Sequence, residues 1–230
     1  MIRWHLHERY ASATETVSGT AVLHRNRMER NRGNACPKRK MEMKPEKLTE
    51  LEEKTVRQET VYDGHIIKVR LDEAELPDGQ HAAREVVVHP GGVGIALEDE
   101  EGKFTFVTQW RYGQQMAMLE YPAGKKEPGE DPLTTAKREI VEETGYEGTG
   151  FVRLGSLVPT PAYDSEVIEL YYAKQGNYVG QHLDADENIN LKKLTLDEIT
   201  ELIVSGEVTD AKTVAMTFLI REFRQRGMIE

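Results

Sequence analysis

The chain has 230 residues, of which 38% are hydrophobic and 30% charged, a composition that suits one α/β domain with a sizeable core. It contains no run of about 18 apolar residues, so we expect no membrane-spanning helix and no membrane partner. The only cysteine, Cys36, excludes an internal disulfide and favours a reducing, cytoplasmic setting.

The net charge of −10 is unevenly distributed along the chain. Residues 1–40 hold nine Lys or Arg and three Glu, which gives this segment a charge of +6 and leaves −16 for the remainder. Because so acidic a body repels a nucleic-acid backbone, we expect no nucleic-acid partner. A smaller substrate that carries phosphate would need metal ions to bridge it to the protein.

Residues 1–43 differ from the rest of the chain, since they show no sustained period of 2 or 3.6 residues. The simplest interpretation is a disordered extension, or an upstream start that the cell does not use, because Met41 and Met43 stand where the ordered pattern begins. The Arg-rich, acid-poor composition also allows a transit peptide. A basic arm for nucleic acid is the third alternative, although no aromatic residues interleave its charges.

Three strands are predicted next, at residues 55–62, 66–76 and 84–89, because these stretches are rich in β-branched side chains. Residues 77–80, with the sequence Pro-Asp-Gly-Gln, form a turn in which proline fixes φ and glycine takes a positive φ. These strands predict a small antiparallel β unit within residues 44–90.

Residues 91–230 predict a mixed α/β core. Further strands are expected at residues 91–97, 104–110, 154–158 and 166–173. A capping box at residues 195–198 opens a short helix that stops near Gly206. The amphipathic stretch at residues 212–226 predicts a closing helix.

The best-marked helix of the chain is predicted at residues 131–144. Asp131 is a good N-cap, Pro132 suits the first turn, and Gly145 suits the position just after the helix. This helix carries the most informative group of side chains in the sequence.

Glu139, Glu142 and Glu143 are spaced i, i+3 and i+4, which places three carboxylates on one helix face. Like charges at this spacing repel, so a cation among them is expected, and Mg²⁺ prefers such oxygen ligands. Arg138 is expected to face another side of the helix and to pair with Glu130. The alternative for the three glutamates alone is a solvated acidic face.

Residues 124–146 match the Nudix box, Gly-x5-Glu-x7-Arg-Glu-U-x-Glu-Glu-x-Gly-U with U a bulky apolar residue, at every fixed position, Tyr146 being the last. The chain thus resembles the Nudix hydrolases. Pro161 lies sixteen residues after Gly145, a spacing that resembles the ADP-ribose pyrophosphatase branch. Further segments similar to that branch lie at residues 83–91, 109–112, 119–124, 160–166 and 210–213.

The resemblance implies an α/β/α sandwich around a mixed sheet, preceded by the small β unit. It also implies a homodimer in which N-terminal strands reach over the neighbouring subunit's site. The reaction expected from it is Mg²⁺-dependent hydrolysis, with Mn²⁺ as a substitute, of the pyrophosphate bond in ADP-ribose or a related nucleoside diphosphate sugar. The alternatives are GDP-mannose or another nucleotide sugar as substrate, and a non-catalytic nucleotide-binding sensor.

The resemblance also implies roles for individual residues. The implied metal ligands are the carbonyl of Ala123 and the side chains of Glu139, Glu142 and Glu143. The implied catalytic residues are Glu166, which would bind or orient the attacking water, Glu142 and Arg138. The implied substrate-binding residues are Arg84, Arg111 and Glu120. Which glutamate acts as the general base stays open.

Overall fold

A computed structural model describes residues 49–185 and 187–230, so the expectations for residues 1–43 lie outside the described part of the chain. After a short 3-10 helix at Thr49–Leu51, three strands form an antiparallel sheet in the order β1-β2-β3. Their bounds are β1 Lys54–Asp63, β2 Lys68–Glu75 and β3 His81–Val88. The predicted turn between β2 and β3 is confirmed, because Gly79 has a φ of 81° and its N–H donates to the carbonyl of Leu76.

A second, seven-stranded sheet follows, with the order β10-β5-β4-β9-β8, β6 pairing with β5 and β7 with β4. Its strands are β4 Gly92–Glu98, β5 Lys103–Arg111, β6 Met116–Glu120, β7 Ala123–Lys125, β8 Tyr146–Leu157, β9 Ile168–Tyr178 and β10 Ile189–Thr195. Strands β4 and β9 are parallel and the other pairs are antiparallel, so the sheet is mixed, as expected.

Within the described residues, three α-helices complete the fold: α1 Pro132–Thr144, α2 Leu196–Val204 and α3 Ala211–Gln225. Each begins at a residue whose side chain accepts from backbone N–H groups of the first turn, namely Asp131, Thr195 and Asp210. Helix α1 ends before Gly145, whose φ of 75° is the left-handed conformation that terminates helices. No helix in the described residues combines the length and the apolar character needed to cross a membrane.

The core lies on both faces of the large sheet, because β4 alternates its side chains between them. Val93, Ile95 and Leu97 pack against Ile140 of α1 on one face. Ala96 joins the opposite cluster, which contains the buried side chains of α2 and α3. This arrangement confirms the α/β/α sandwich preceded by a small antiparallel sheet.

The structure differs from the sequence expectations in four strands. Strand β8 begins at Tyr146, eight residues before the predicted start at residue 154, and β6, β7 and β10 were not expected. Within β8, glycines and three register shifts interrupt the alternating pattern on which the prediction relied.

Candidate active site

One cleft of about 690 Å³ opens at the edge of the large sheet. Its walls come from the start of β4, the turn between β5 and β6, strand β7, the loop before β9 and the first turn of α3. Four of the sequence-predicted site residues line it: Arg111, Glu120, Ala123 and Glu166. The cleft therefore brings together groups that are distant in sequence.

The predicted metal-binding glutamates of α1 are not in the cleft lining and lie directly behind β7, whose three residues line it. Glu143 is 2% exposed, and its Oε2 accepts from the N–H of Ala123 at 3.0 Å. Gly124 is needed beside it, because a Cβ at that position would lie 1.8 Å from the Cδ of Glu139. Both carboxylates are thus held against the backbone of the strand that lines the cleft.

Burial perturbs both of these carboxylates. Burial, only partly offset by Arg138, raises the pKa of Glu139 to about 7. Burial, which outweighs the hydrogen bond from Ala123, raises the pKa of Glu143 to about 8. Within the described residues no Lys or Arg side chain is bonded to Glu143, so its buried charge lacks a direct cationic partner.

Arg138 ties the loop before α1 to the helix. Its guanidinium donates to both carboxylate oxygens of Glu130, at 3.2 and 2.9 Å, which confirms the predicted pair and lowers the pKa of Glu130 to about 2. The expectation that Arg138 faces away from the glutamates is wrong, since Nη1 also donates to Glu139 and Glu142, both at 2.8 Å. The long side chain lies along the helix and reaches the flank of the acidic face.

The donor set fits a hard divalent cation. In residues 49–185 and 187–230 no three His, Cys, Asp or Glu side chains converge closely enough to ligate one ion, and Arg138 holds Glu142 to one side. Mg²⁺ needs fewer protein ligands than that, because it usually binds one or two carboxylates together with water and substrate phosphates. Glu139 and Glu143, on the same side as the Ala123 backbone, meet this requirement.

The basic side of the cleft is an ion cluster around Glu120. This carboxylate is 2% exposed and accepts two hydrogen bonds of 2.6 Å from Nε and Nη2 of Arg111. Lys212, at the start of α3, donates to the same carboxylate and to Asp210 at 3.0 Å. Burial raises the pKa of Glu120, but the contacts with Arg111 and Lys212 outweigh it and hold that pKa below its usual value.

Glu166 stands on the loop that leads into β9. Its Oε1 lies 3.3 Å from Nδ1 of His89, and because that nitrogen accepts from the N–H of Gly91 at 3.1 Å, the contact with Glu166 is not a hydrogen bond. The backbone N–H of His89 donates to Oγ of Ser165 at 3.0 Å. His89, which the sequence reasoning did not single out, therefore fixes the loop that carries Glu166.

Glu187 was missed from the sequence, and Lys212 was recognised only as part of the segment at residues 210–213, without a role. Glu187 follows the loop after β9, and its negative charge contributes to raising the pKa of both Glu139 and Glu143. That loop is held against the end of α1, since His182 N–H donates to the carbonyl of Glu142 at 3.0 Å. The sequence signal for Glu187 is the acidic run at residues 184–187, just before a strand.

Arg84 is the one predicted substrate-binding residue that the structure keeps apart from the cleft lining. It lies on β3 of the small sheet and makes a bidentate pair with Glu53, at 2.8 and 2.7 Å. The side chain is 41% exposed.

Comparison with known families agrees with this geometry. Residues 88–215 match the NUDIX domain, and residues 53–87 match the nucleoside diphosphate sugar hydrolase N-terminal domain. A solved structure described as an ADP compounds hydrolase superposes with a TM-score of 0.67, covering 77% of this chain and 97% of that one at 20% identity. That likeness concerns the fold alone.

Two curated relatives are more similar in sequence. The methanol dehydrogenase activator of Bacillus methanolicus is 42% identical over 167 residues, which are 71% of this chain and 89% of the relative. The ADP-ribose pyrophosphatase of Bacillus subtilis (strain 168) is 36% identical over 168 residues, which are 72% and 91% respectively. With its Nudix box on the loop and helix that border the cleft, this chain belongs to the Nudix family.

Proposed function

We propose that this protein hydrolyses the pyrophosphate bond of ADP-ribose, or of a closely related nucleoside diphosphate sugar, with Mg²⁺ as cofactor and Mn²⁺ as a substitute. The observation that carries the proposal is that Glu139 and Glu143 lie against the backbone of Ala123 and Gly124, which line the same cleft as Arg111. A metal between the carboxylates and a guanidinium opposite are complementary to a diphosphate. The volume of about 690 Å³ suits a small nucleotide.

The metal would be held by Glu139, Glu143 and the carbonyl of Ala123, with Glu142 at the flank. When bound, it supplies positive charge to the phosphate oxygens and lowers the pKa of a coordinated water. Arg138 keeps the box loop docked on the helix through Glu130.

The other residues of the cleft bind the substrate and orient the water. Arg111 binds a phosphate oxygen, and Glu120 keeps the guanidinium in place. Glu166 and Glu187 are the two candidates to orient the attacking water and to accept its proton. For ADP-ribose, the water oxygen joins one phosphorus, the bridging oxygen leaves with the other, and the products are AMP and ribose 5-phosphate.

The two base candidates are separated by matched substitutions. Glu166→Gln and Glu187→Gln each preserve side-chain volume and remove the ability to accept a proton. The true base is expected to lose about 100-fold or more in kcat, in the range of general acid–base contributions. Equal and small losses in both variants would contradict a general base on either loop.

A second candidate function is activation of a methanol dehydrogenase. It is favoured by the 42% identity to the relative that bears this name, a higher identity than that to the ADP-ribose pyrophosphatase. Adding the protein to a methanol dehydrogenase assay, with and without Mg²⁺, tests it directly. Activation that Glu143→Gln retains would separate this function from hydrolysis.

We further propose a cytoplasmic homodimer assembled through the small sheet. All ten residues of β1 are exposed, among them Val56, Val61 and Tyr62. An exposed strand with apolar side chains is typical of an interface. In such a dimer Arg84 would serve the cleft of the partner subunit, which suits its position outside the cleft of its own chain.

The function is tested by phosphate release from a substrate panel with Mg²⁺ and a coupled phosphatase. The panel contains ADP-ribose, ADP-glucose, GDP-mannose, NADH and diadenosine polyphosphates. We expect selective turnover of ADP-ribose, reduced about 100-fold or more by Glu143→Gln. The matched control is Glu147→Gln, an exposed glutamate of β8 bonded to Asn177. Turnover of another compound would change the substrate, and no turnover at all would overturn the proposal.

A further inference from the structure

The ion cluster beside the cleft contains a lysine that is almost completely buried. The side chain of Lys212 is 7% exposed, and its Nζ contacts the carboxylates of Glu120 and Asp210. A buried ammonium is costly unless it is paired, so these contacts hold it in the protein wall. The side chain of Arg111, on the other side of Glu120, is 40% exposed and lines the cleft.

The four charged groups of this cluster differ in their exposure and surroundings. A bidentate pair of Arg111 and Glu120 alone is neutral, whereas the addition of Lys212 gives the triplet a charge of +1. Asp210 brings the formal sum to zero, but its Oδ2 also accepts from the N–H and the hydroxyl of Thr213 at the N-terminus of α3, where the positive end of the helix dipole partly compensates its charge. Arg111 is the most exposed member, so it is the positive group that the cluster presents to the cleft.

The first turn of α3 is also fastened to the strand segment that carries Glu120. The N–H of Tyr121 donates to Oγ1 of Thr213 at 3.0 Å, directly beside the contact between Lys212 and Glu120. Both bonds join residues that are 92 positions apart in the chain. The lysine therefore occupies a defined position relative to Glu120.

We propose, building on the function proposed above, that Lys212 is a positioning residue for diphosphate recognition: it compensates the charge of Glu120, so that the positive charge of Arg111 remains available to the substrate. Lys212 itself does not touch the substrate. Glu120 likewise acts through Arg111, because its two oxygens are occupied and it is 2% exposed. Nη1 of Arg111, which bonds to no acceptor in residues 49–185 or 187–230, is the group left for phosphate.

A double-mutant cycle, in which the charges of Lys212 and Glu120 are removed singly and together, tests this role. The variants are Lys212→Met, Glu120→Gln and the double variant, and the probes are inorganic pyrophosphate and ADP-ribose in EDTA, measured by calorimetry. Lys212→Met is expected to weaken binding about tenfold, or about 1.4 kcal/mol, because Arg111 then faces an uncompensated carboxylate. The double variant is expected to regain nearly wild-type affinity, because Arg111 then faces a neutral amide. A lysine with a merely structural role would give losses that accumulate.

Controls separate charge from folding. Lys212→Gln removes the charge but keeps a hydrogen-bond donor for Glu120. If Lys212→Met folds poorly, Lys212→Gln takes its place and is expected to show the same loss of affinity. Lys193→Met removes a lysine paired with Asp99, outside the cleft lining, and is expected to bind like wild type. Circular dichroism melting curves report on the fold of each variant.

The outcomes distinguish this proposal from the proposed function. Wild-type affinity in both Lys212→Met and Lys212→Gln, or a double variant weaker than either single one, would overturn the role of Lys212. Absence of pyrophosphate binding by the wild-type protein would overturn it as well. If the wild type hydrolyses nothing in the panel while binding follows the cycle, the hydrolase function fails and the role of Lys212 in diphosphate binding stands.

Discussion

At the scale of single residues, the carboxylate of Glu139 packs against Gly124 so closely that no side chain fits at residue 124. A Cβ at residue 124 would lie within 1.8–2.2 Å of three atoms of that carboxyl group. Because real Cβ contacts are never so short, Gly124→Ala must displace Glu139 from the strand. We predict that Mg²⁺ affinity, measured by calorimetry, falls at least about tenfold in Gly124→Ala.

A glycine of the same sheet provides the control for this variant. At Gly176 in β9 a Cβ would meet its nearest atom, the carbonyl oxygen of Glu147, at 3.2 Å. Gly176→Ala is therefore expected to lower the melting temperature slightly and to leave Mg²⁺ affinity unchanged. Equal Mg²⁺ affinity in Gly124→Ala and wild type would show that Glu139 is not a ligand.

The raised pKa values of Glu139 and Glu143 predict that metal binding releases protons. These values, about 7 and about 8, lie above that of an unfolded carboxyl group. The protonated carboxyl groups thus favour the folded state of the metal-free protein at low pH. As pH rises toward 8, this contribution to the free energy of unfolding, on the order of a few kcal/mol, is lost. Mg²⁺ replaces the protons, so its affinity is expected to increase between pH 6 and 8.

Calorimetry in two buffers of different ionisation enthalpy measures this proton release at pH 7. Melting curves between pH 5 and 8 measure the loss of stability without metal and its recovery with Mg²⁺. Binding that is independent of pH, with no protons released, would mean that both carboxylates are already ionised in the metal-free protein.

At the scale of elements, the end of β3 holds the loop that carries Glu166. The N–H of Val87 donates to the carbonyl of Tyr163 at 2.7 Å, and the N–H of Ser165 donates back to Val87 at 3.0 Å. His89 adds its contact with Glu166. We predict that His89→Ala lowers kcat about tenfold and changes KM little, because the loop glutamate loses the ring that lies beside it while Arg111 is untouched.

His81 offers the matched control, since its ring pairs with Glu73 at the exposed far end of β3. His81→Ala is expected to keep the wild-type kcat in the same phosphate-release assay. If both histidine variants lose kcat equally, the effect comes from the stability of the small sheet and the role assigned to His89 is wrong.

The elements differ in how much of them the sequence reveals. Helix α1 was predictable because its signals are local: a cap, a proline and a terminating glycine stand within fifteen residues. Strands β6 and β7 were not, since Met-Ala-Met-Leu-Glu has no β-branched residue and β7 has three residues in all. These strands form because β5 and β4 provide their pairing partners, which is tertiary context.

The same division applies to the candidate site. The roles of the α1 glutamates and of Arg111 were predicted from motifs. Lys212 and His89 also lie in segments similar to the family, but Lys212 acquires its role by contact with Glu120, 92 residues earlier, and His89 by contact with a distant loop. Spacing within a segment carries no information about such contacts.

At the scale of the whole molecule, the proposed dimer would assemble each site from two chains. If Arg84 serves the cleft of the partner subunit, each site combines Glu143 of one chain with Arg84 of the other, so Arg84→Ala and Glu143→Gln remove contributions of two different chains. Each variant alone is then expected to be nearly inactive as a dimer, while light scattering gives twice the mass of the chain.

Mixing the two variants after reversible unfolding tests this arrangement by complementation. Random pairing makes half of the dimers mixed, and each mixed dimer has one site with both an intact Glu143 and an intact Arg84, so about one quarter of wild-type activity is expected to return. If Arg84 instead serves its own chain's cleft, every site in a mixed dimer carries one of the two substitutions and no activity returns. A monomer mass at assay concentration would exclude the shared site, and the exposed face of β1 would then need another partner.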